Sequence, residues 1–156
     1  MSELAIRPAR AEDLEALLAL YAELAEEAGS APAPDSEARR VLDEILAQPM
    51  RYLTVASRDG RVVASADMLI VANLTHGGRP WAIIENVVVT AMARRSGVGS
   101  RLMSHLMRLA RASGCYKVQL LSADHRRAEA FYEHLGFQAL STGFKTYFEE
   151  GPSEAA

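Results

Sequence analysis

The chain has 156 residues, enough for one domain of ordinary size. A hydrophobic fraction of 49% and a charged fraction of 24% exclude a disordered chain, and a net charge of −3 supplies no global attraction for nucleic acid or anionic lipid. The single cysteine, Cys115, rules out an intrachain disulfide and a Cys-based zinc cluster, and reads as a small apolar residue entering a strand.

Met1-Ser2-Glu3-Leu4 lacks the basic and apolar blocks of a signal peptide, and no apolar run approaches the roughly 20 residues that span a bilayer. A reduced, cytoplasmic protein with no membrane contact is expected. Leu4-Ala5-Ile6-Arg7, ended by Pro8, suits an edge strand. Leu14, Leu17, Leu18, Tyr21 and Ala25 recur at helical spacing, with Gly29 placed to stop the helix. Residues 30–35 form a stiff turn with two prolines, and a second helix over 36–47 turns Val41, Leu42 and Ile45 inward. Strands over 51–57 and 61–71 flank Asp59-Gly60, a strong two-residue hairpin signal.

Residues 73–80, with Gly77-Gly78, read as a loop, and 82–89, rich in β-branched residues, as a buried central strand. Val98, Leu102, Leu106 and Leu109 make one face of a helix that ends at Ser113-Gly114. A strand over 117–121, a helix over 128–135 stopped by Gly136, and one or two strands within 138–148 complete the chain. The order β-α-α-β-β-β-α-β-α-β predicts a mixed α/β sandwich with helices on both faces of one sheet. It reads as a single domain over 1–150 with a frayed tail over 151–156.

The most informative stretch runs from Ile84 to Ser100: an apolar strand, a loop with two arginines and two glycines, then a helix start. The first amides of a helix have no internal partner and carry partial positive charge. Gly97 and Gly99 remove Cβ atoms where a ligand would approach the main chain, so the amides from Arg95 to Ser100 can wrap an anion, with Arg94 or Arg95 adding charge. A P-loop is excluded because Ser100 and Arg101 follow Gly99, and a dinucleotide fingerprint because Leu102 stands where its third glycine belongs.

Arg94-x-x-Gly97-x-Gly99 after an apolar strand resembles the pyrophosphate-binding motif of the GNAT family of N-acetyltransferases. The run from Ala128 through Phe131, Tyr132, Leu135 and Gly136 to Phe137 is similar to that family's A-x-x-F-Y-x-x-L-G-F signature. Ile6-Arg7-Pro8-Ala9 with Glu12-Asp13-Leu14 is similar to its first strand and helix. The resemblance implies a mixed, mostly antiparallel twisted sheet with a splayed parallel pair at its centre. It implies an acetyl-CoA-dependent transferase with direct attack of an amine on the thioester, working as a homodimer. Main-chain groups of Val87, Val88 and Val89 would pair with pantetheine, and the amides of Arg94, Arg95, Ser96, Gly97, Val98, Gly99 and Ser100 would hold the pyrophosphate. His125 stands where the family often has Asn and can donate one hydrogen bond to the cofactor or to a backbone carbonyl. Tyr132 would be the general acid that protonates the departing thiolate, its alternative being a ring packed under its helix.

Glu85 is the leading base, placed by strand alternation on the face of Ile83 and Val87. Burial in so apolar a strand would raise its pKa toward a base's range. The alternative is a salt-bridged carboxylate that orients the substrate ammonium. Asn86 would face the other way and fix backbone, and Phe131 would be plain core.

His105 and His134 are expected to face solvent, His76 and Trp81 to stand beside the acceptor, and Arg126 and Arg127 to reach a CoA phosphate or simply solvate a helix start. Trp81 is equally a core or dimer contact. The scattered histidines form no metal site. The expected activity is acetylation of a small-molecule amine, with Glu26, Glu27 and Asp35 leaning toward a cationic acceptor. Acetylation of a protein N-terminus or lysine, and a non-catalytic acetyl-CoA sensor, are the alternatives.

Overall fold

The computed structural model describes residues 3–28, 32–122 and 125–148, with side chains for all of these except 26–28 and 125–127. Gly29, Ser30, Ala31 and the tail from 149 lie outside the described residues, as do the side chains of Glu26, Glu27, His125, Arg126 and Arg127. The chain divides into two compact units, Met1–Leu120 and Leu121–Ala156. No helix among the described residues is long and apolar enough to cross a membrane.

The first unit holds β1 (Leu4–Pro8), α1 (Leu14–Ala28), α2 (Asp35–Leu46), β2 (Arg51–Arg58), β3 (Arg61–Val71), β4 (Trp81–Val89), α3 (Val98–Ala112) and β5 (Val118–Gln119). The sheet runs β1-β2-β3-β4-β5, antiparallel through β4 and parallel between β4 and β5. This is the mixed, mostly antiparallel sheet expected. Asp59 and Gly60, with φ of 51° and 78°, close the β2–β3 hairpin in the doubly positive turn that their residue types favour.

Register separates the two faces, because directly paired residues project to the same side. Leu53 opposite Asp67 and Val55 opposite Ser65 lie on one face, where Leu17 of α1 and Leu42 of α2 close a core with Leu14, Tyr21, Ile45 and Val62. The other face carries Ala56 opposite Ala64, Thr54 opposite Ala66 and Met68 opposite Ile84. Those small and apolar residues, all buried, receive Val98, Leu102, Met103, Leu106 and Ala110 of α3. Helices therefore cover both faces. Cys115 is buried, as its reading as a small apolar residue required, and burial pushes its thiol pKa up.

The first turn is pinned to the sheet edge by Asp13. Its carboxylate takes a two-pronged bond from Arg7 (2.7 and 2.8 Å) and a third from the Arg10 amide (2.8 Å), which caps the chain's entry into α1.

β5 is shorter than the strand expected over 117–121. It pairs only Val118 with Ala82 and Gln119 with Ile83, because β4 offers no ladder to it beyond Ile83. Along that edge, no strand pairs with residues 84–89 among the described residues.

The second unit contains α4 (His125–His134). Gly136, at φ 90°, ends it: the Phe137 amide bonds the Tyr132 carbonyl (3.0 Å) and the Gly136 amide bonds that of Glu133 (2.9 Å). This left-handed cap normally brings an apolar residue after the glycine onto the helix's last turn, and here the Phe137 ring meets the Tyr132 ring edge-on at 5.8 Å. The strands expected within 138–148 are not formed. A strand has no internal hydrogen bonds and exists only with a neighbour, and this segment leaves Leu140, Phe144, Tyr147 and Phe148 exposed without one.

Candidate active site

β4 is interrupted where its chemistry begins. Ser65 pairs with Val88 and Asp67 with Glu85, so between these pairs one residue of β3, Ala66, is matched by two of β4, Asn86 and Val87. The extra residue makes a bulge, and Asn86 takes a left-handed φ of 51° there, a conformation asparagine tolerates better than most residues. The bulge overturns the expected alternation. Glu85 shares its face with Asp67 and Ile83, but the inserted residue puts Val88, not Val87, on that side next.

Glu85 is exposed. It makes no ion pair among the described residues. Its neighbour differs. Asp67 is buried and gripped by Arg51, whose Nε and Nη2 donate to the carboxylate at 3.0 and 2.5 Å, and the pair holds the Arg51 pKa above its ordinary value. Tyr21, from α1, packs against the core on this face, and burial raises its hydroxyl pKa. Glu85 thus stands opposite Asp67 in the ladder, whose carboxylate is already paired with Arg51. Asn86 is likewise exposed, and its contribution is the backbone turn.

Beyond Val89 the chain makes one turn of 3-10 helix over Ala91–Ala93, extends at Arg94, and takes left-handed conformations at Arg95 (φ 58°) and Gly97 (φ 78°) before α3 starts at Val98. Gly97 matters here by its φ more than by clearance, since a Cβ built on it meets nothing within 4 Å. Among the described residues, no acceptor is found for the amides of Arg95, Ser96, Gly97, Val98, Gly99 and Ser100. Those donors gather at the positive end of a 15-residue helix. The Arg94 guanidinium turns back to the Val89 carbonyl (3.1 Å), so it braces the strand end, and its amide bonds Ala91. Arg95 is exposed.

Two supports of this loop carried no sequence signal. Glu23, in α1, accepts from the Thr90 hydroxyl (2.7 Å) and the Ala91 amide (2.9 Å), tying the loop's first residues to the helix on the opposite face. Arg58, at the end of β2, donates to Ser96 Oγ (3.1 Å), which in turn donates to the Ala93 carbonyl. The Arg58 Nε is buried without a partner among the described residues.

The other candidates lie elsewhere. His76 stacks on Tyr116 at 3.8 Å and Lys117 sits 5.4 Å from the Trp81 ring, both at the start of β4. Eight residues of strand, about 25 Å, separate that end from the loop. His134 is exposed as expected, but His105 is half-buried, not solvent-facing. Phe131 is half-buried too, edge-on to Tyr132 at 5.1 Å. Tyr132 is half-buried, its ring seated between Phe131 and Phe137 in the second unit.

β4 thus pairs with its parallel neighbour only at its start, and past its end come the loop and the first turn of α3, whose amides have no acceptor among the described residues. The chain belongs to the acetyltransferase (GNAT) family, which residues 14–137 match. It is 44% identical over 80 residues to a glucosamine 6-phosphate N-acetyltransferase of Trypanosoma brucei brucei, covering 51% of this chain and 53% of that one. The chain spans about half the length of the curated relatives it matches first. Among solved structures it is similar to a protein of Agrobacterium tumefaciens strain C58 (TM-score 0.86, 40% identity, 92% of this chain and 99% of that one). It is also similar to a Trypanosoma brucei acetyltransferase (TM-score 0.81, 31% identity, 94% of this chain and 100% of that one).

Proposed function

We propose that the chain is an acetyl-CoA-dependent N-acetyltransferase, one functional domain over residues 1–150, that acetylates the primary amine of a small molecule. The observation that carries the reading is the run of unclaimed amides 95–100 at the head of α3, continuous with the open edge of β4. An extended thioester arm suits the edge, and a diphosphate suits a row of helix-start amides that follows the αL turn at Gly97. The family match runs across both compact units, which supports a single functional domain.

The chemistry follows from what the chain's residues can do. Acetyl-CoA, when bound, supplies an activated acyl carbon. Main-chain groups of Val87, Val88 and Val89 fix the arm, and the amides from Arg95 to Ser100 hold the diphosphate, with Arg95 adding charge. An alkylammonium with a pKa near ~10.4 is less than about 1% nucleophilic at neutral pH. Glu85, exposed and unpaired, takes its proton directly or through one water. Tyr132, in the position of the family's general acid, returns a proton to the thiolate, and His125 supplies a further donor to the cofactor. The name of the Trypanosoma relative makes an amino sugar phosphate the first acceptor to try.

The test is thiol release from acetyl-CoA with glucosamine 6-phosphate, a polyamine, an aminoglycoside and a peptide with a free N-terminus. Turnover is expected on a small amine. Turnover confined to the peptide would shift the reading to a protein acetyltransferase. Coenzyme A binding without turnover on any amine would leave an acetyl-CoA sensor and overturn the enzyme reading.

A further inference from the structure

α3 carries a second polar face that the proposed reaction does not use. Arg101, His105 and Arg108 fall at i, i+4 and i+7, one stripe along the helix. With Ser104 they form one wall of a cleft of about 350 Å³ whose other wall is Leu4 and Ile6 of β1. Its position is distinct from the open edge of β4: β1 and β5 are opposite ends of the sheet. Ser100 alone is shared, since it lines the cleft and its amide belongs to the loop.

The charge in this cleft has one sign. No carboxylate lines it, and neither Arg101 nor Arg108 has an ion-pair partner among the described residues. The residues that line the cleft with His105 are Ser100, Arg101, Ser104 and Arg108 from its own helix and the apolar Leu4 and Ile6 from β1. Burial, and then the Arg108 charge, hold the imidazole pKa below the usual histidine value. A cluster of positive charge beside an apolar wall favours an anion that also carries some carbon body. Guanidinium forks match a phosphate dianion two-pronged, and Arg101 and Arg108, about 10 Å apart along the axis, are close enough for one ligand to engage His105 and either arginine.

We propose that the cleft between β1 and α3 is a second, anion-binding site for a small phosphate monoester, separate from the acyl-CoA slot. The site lies against the flank of the helix whose first turn supplies the diphosphate amides. Its occupancy is independent of whether the protein turns over acetyl-CoA, so the two readings fail separately.

The experiment is a titration of the whole protein with inorganic phosphate at neutral pH, read from the His105 ring by NMR, with and without saturating coenzyme A. The expected result is a saturable shift in the millimolar range that persists with coenzyme A bound, and a His105 titration midpoint that moves up. In R101Q/R108Q the phosphate affinity should fall at least about tenfold while coenzyme A affinity is unchanged. No saturable shift below about 10 mM, or an undiminished one in the double variant, would overturn the proposal. Displacement of phosphate by coenzyme A would also overturn it, and would make the cleft an extension of the cofactor site.

Discussion

Gly97→Val isolates the amide cradle. Gly97 sits at φ 78° with open space where a Cβ would stand, so the substitution introduces no collision. Its cost is conformational: an L-residue in the left-handed region loses roughly 1–2 kcal/mol, and a β-branched one more. Against a domain stability of about 5–15 kcal/mol the protein stays folded, with a Tm lower by about 2–8 °C. If the valine relaxes to negative φ, the amides of residues 97 and 98 swing out of line. Two charge-assisted hydrogen bonds at about 1.5–3 kcal/mol each then vanish, a loss of roughly 10²- to 10⁴-fold in affinity. Calorimetry with coenzyme A measures the affinity and thermal unfolding measures the fold. Gly97→Ala, which bears the same φ penalty without the branch, should fall between. If the valine variant melts lower yet binds coenzyme A within about threefold of the parent, the loop is only a helix cap and the cradle argument fails.

Three further outcomes are expected. Glu85→Gln should flatten the acidic limb of the pH–rate profile while coenzyme A affinity stays put; an unmoved profile would reduce Glu85 to a bystander. Tyr132→Phe should lower kcat with cofactor affinity within a few-fold, roughly 10²-fold being the low end for a lost general acid; unchanged turnover would assign the tyrosine wholly to its ring contact with Phe137. Asp13→Ala should cost about 1–2 kcal/mol at neutral pH, the size of a lost helix cap. The Arg7 bond, more than the Arg10 amide, holds the Asp13 pKa below the ordinary carboxylate value despite burial. The stability it contributes is therefore present above about pH 4 and lost as pH falls through the lowered folded value, so parent and variant should converge in acid unfolding curves.

Much of this was written in the chain. Asp59-Gly60 closed its hairpin, β-branched residues made β4, and the glycines at 97 and 136 fell where left-handed turns were needed. These are local signals, set by what one or two residues allow. The misses are of another kind. Alternation could not reveal the bulge at Asn86, because an inserted residue leaves hydrophobicity unaltered and shows only in the partner strand's register. Glu23, Arg58 and Asp67 are unremarkable in sequence because their roles depend on partners 67, 38 and 16 positions away. The position of His105 likewise depends on β1, nearly the whole unit distant in sequence. The strands expected within 138–148 needed a neighbour that no local pattern could supply.

The bulge also separates β4 into two reading frames. Upstream of Asn86 the odd-numbered positions share the face of Asp67; downstream the parity is reversed and the same face is met by Val88. Deleting Asn86 would restore a regular zigzag and at one stroke exchange inside for outside along 87–89, pulling the following loop out of phase with the helix it feeds. Which way residues 87–89 face is set by the number of residues in the strand and not by their kind alone.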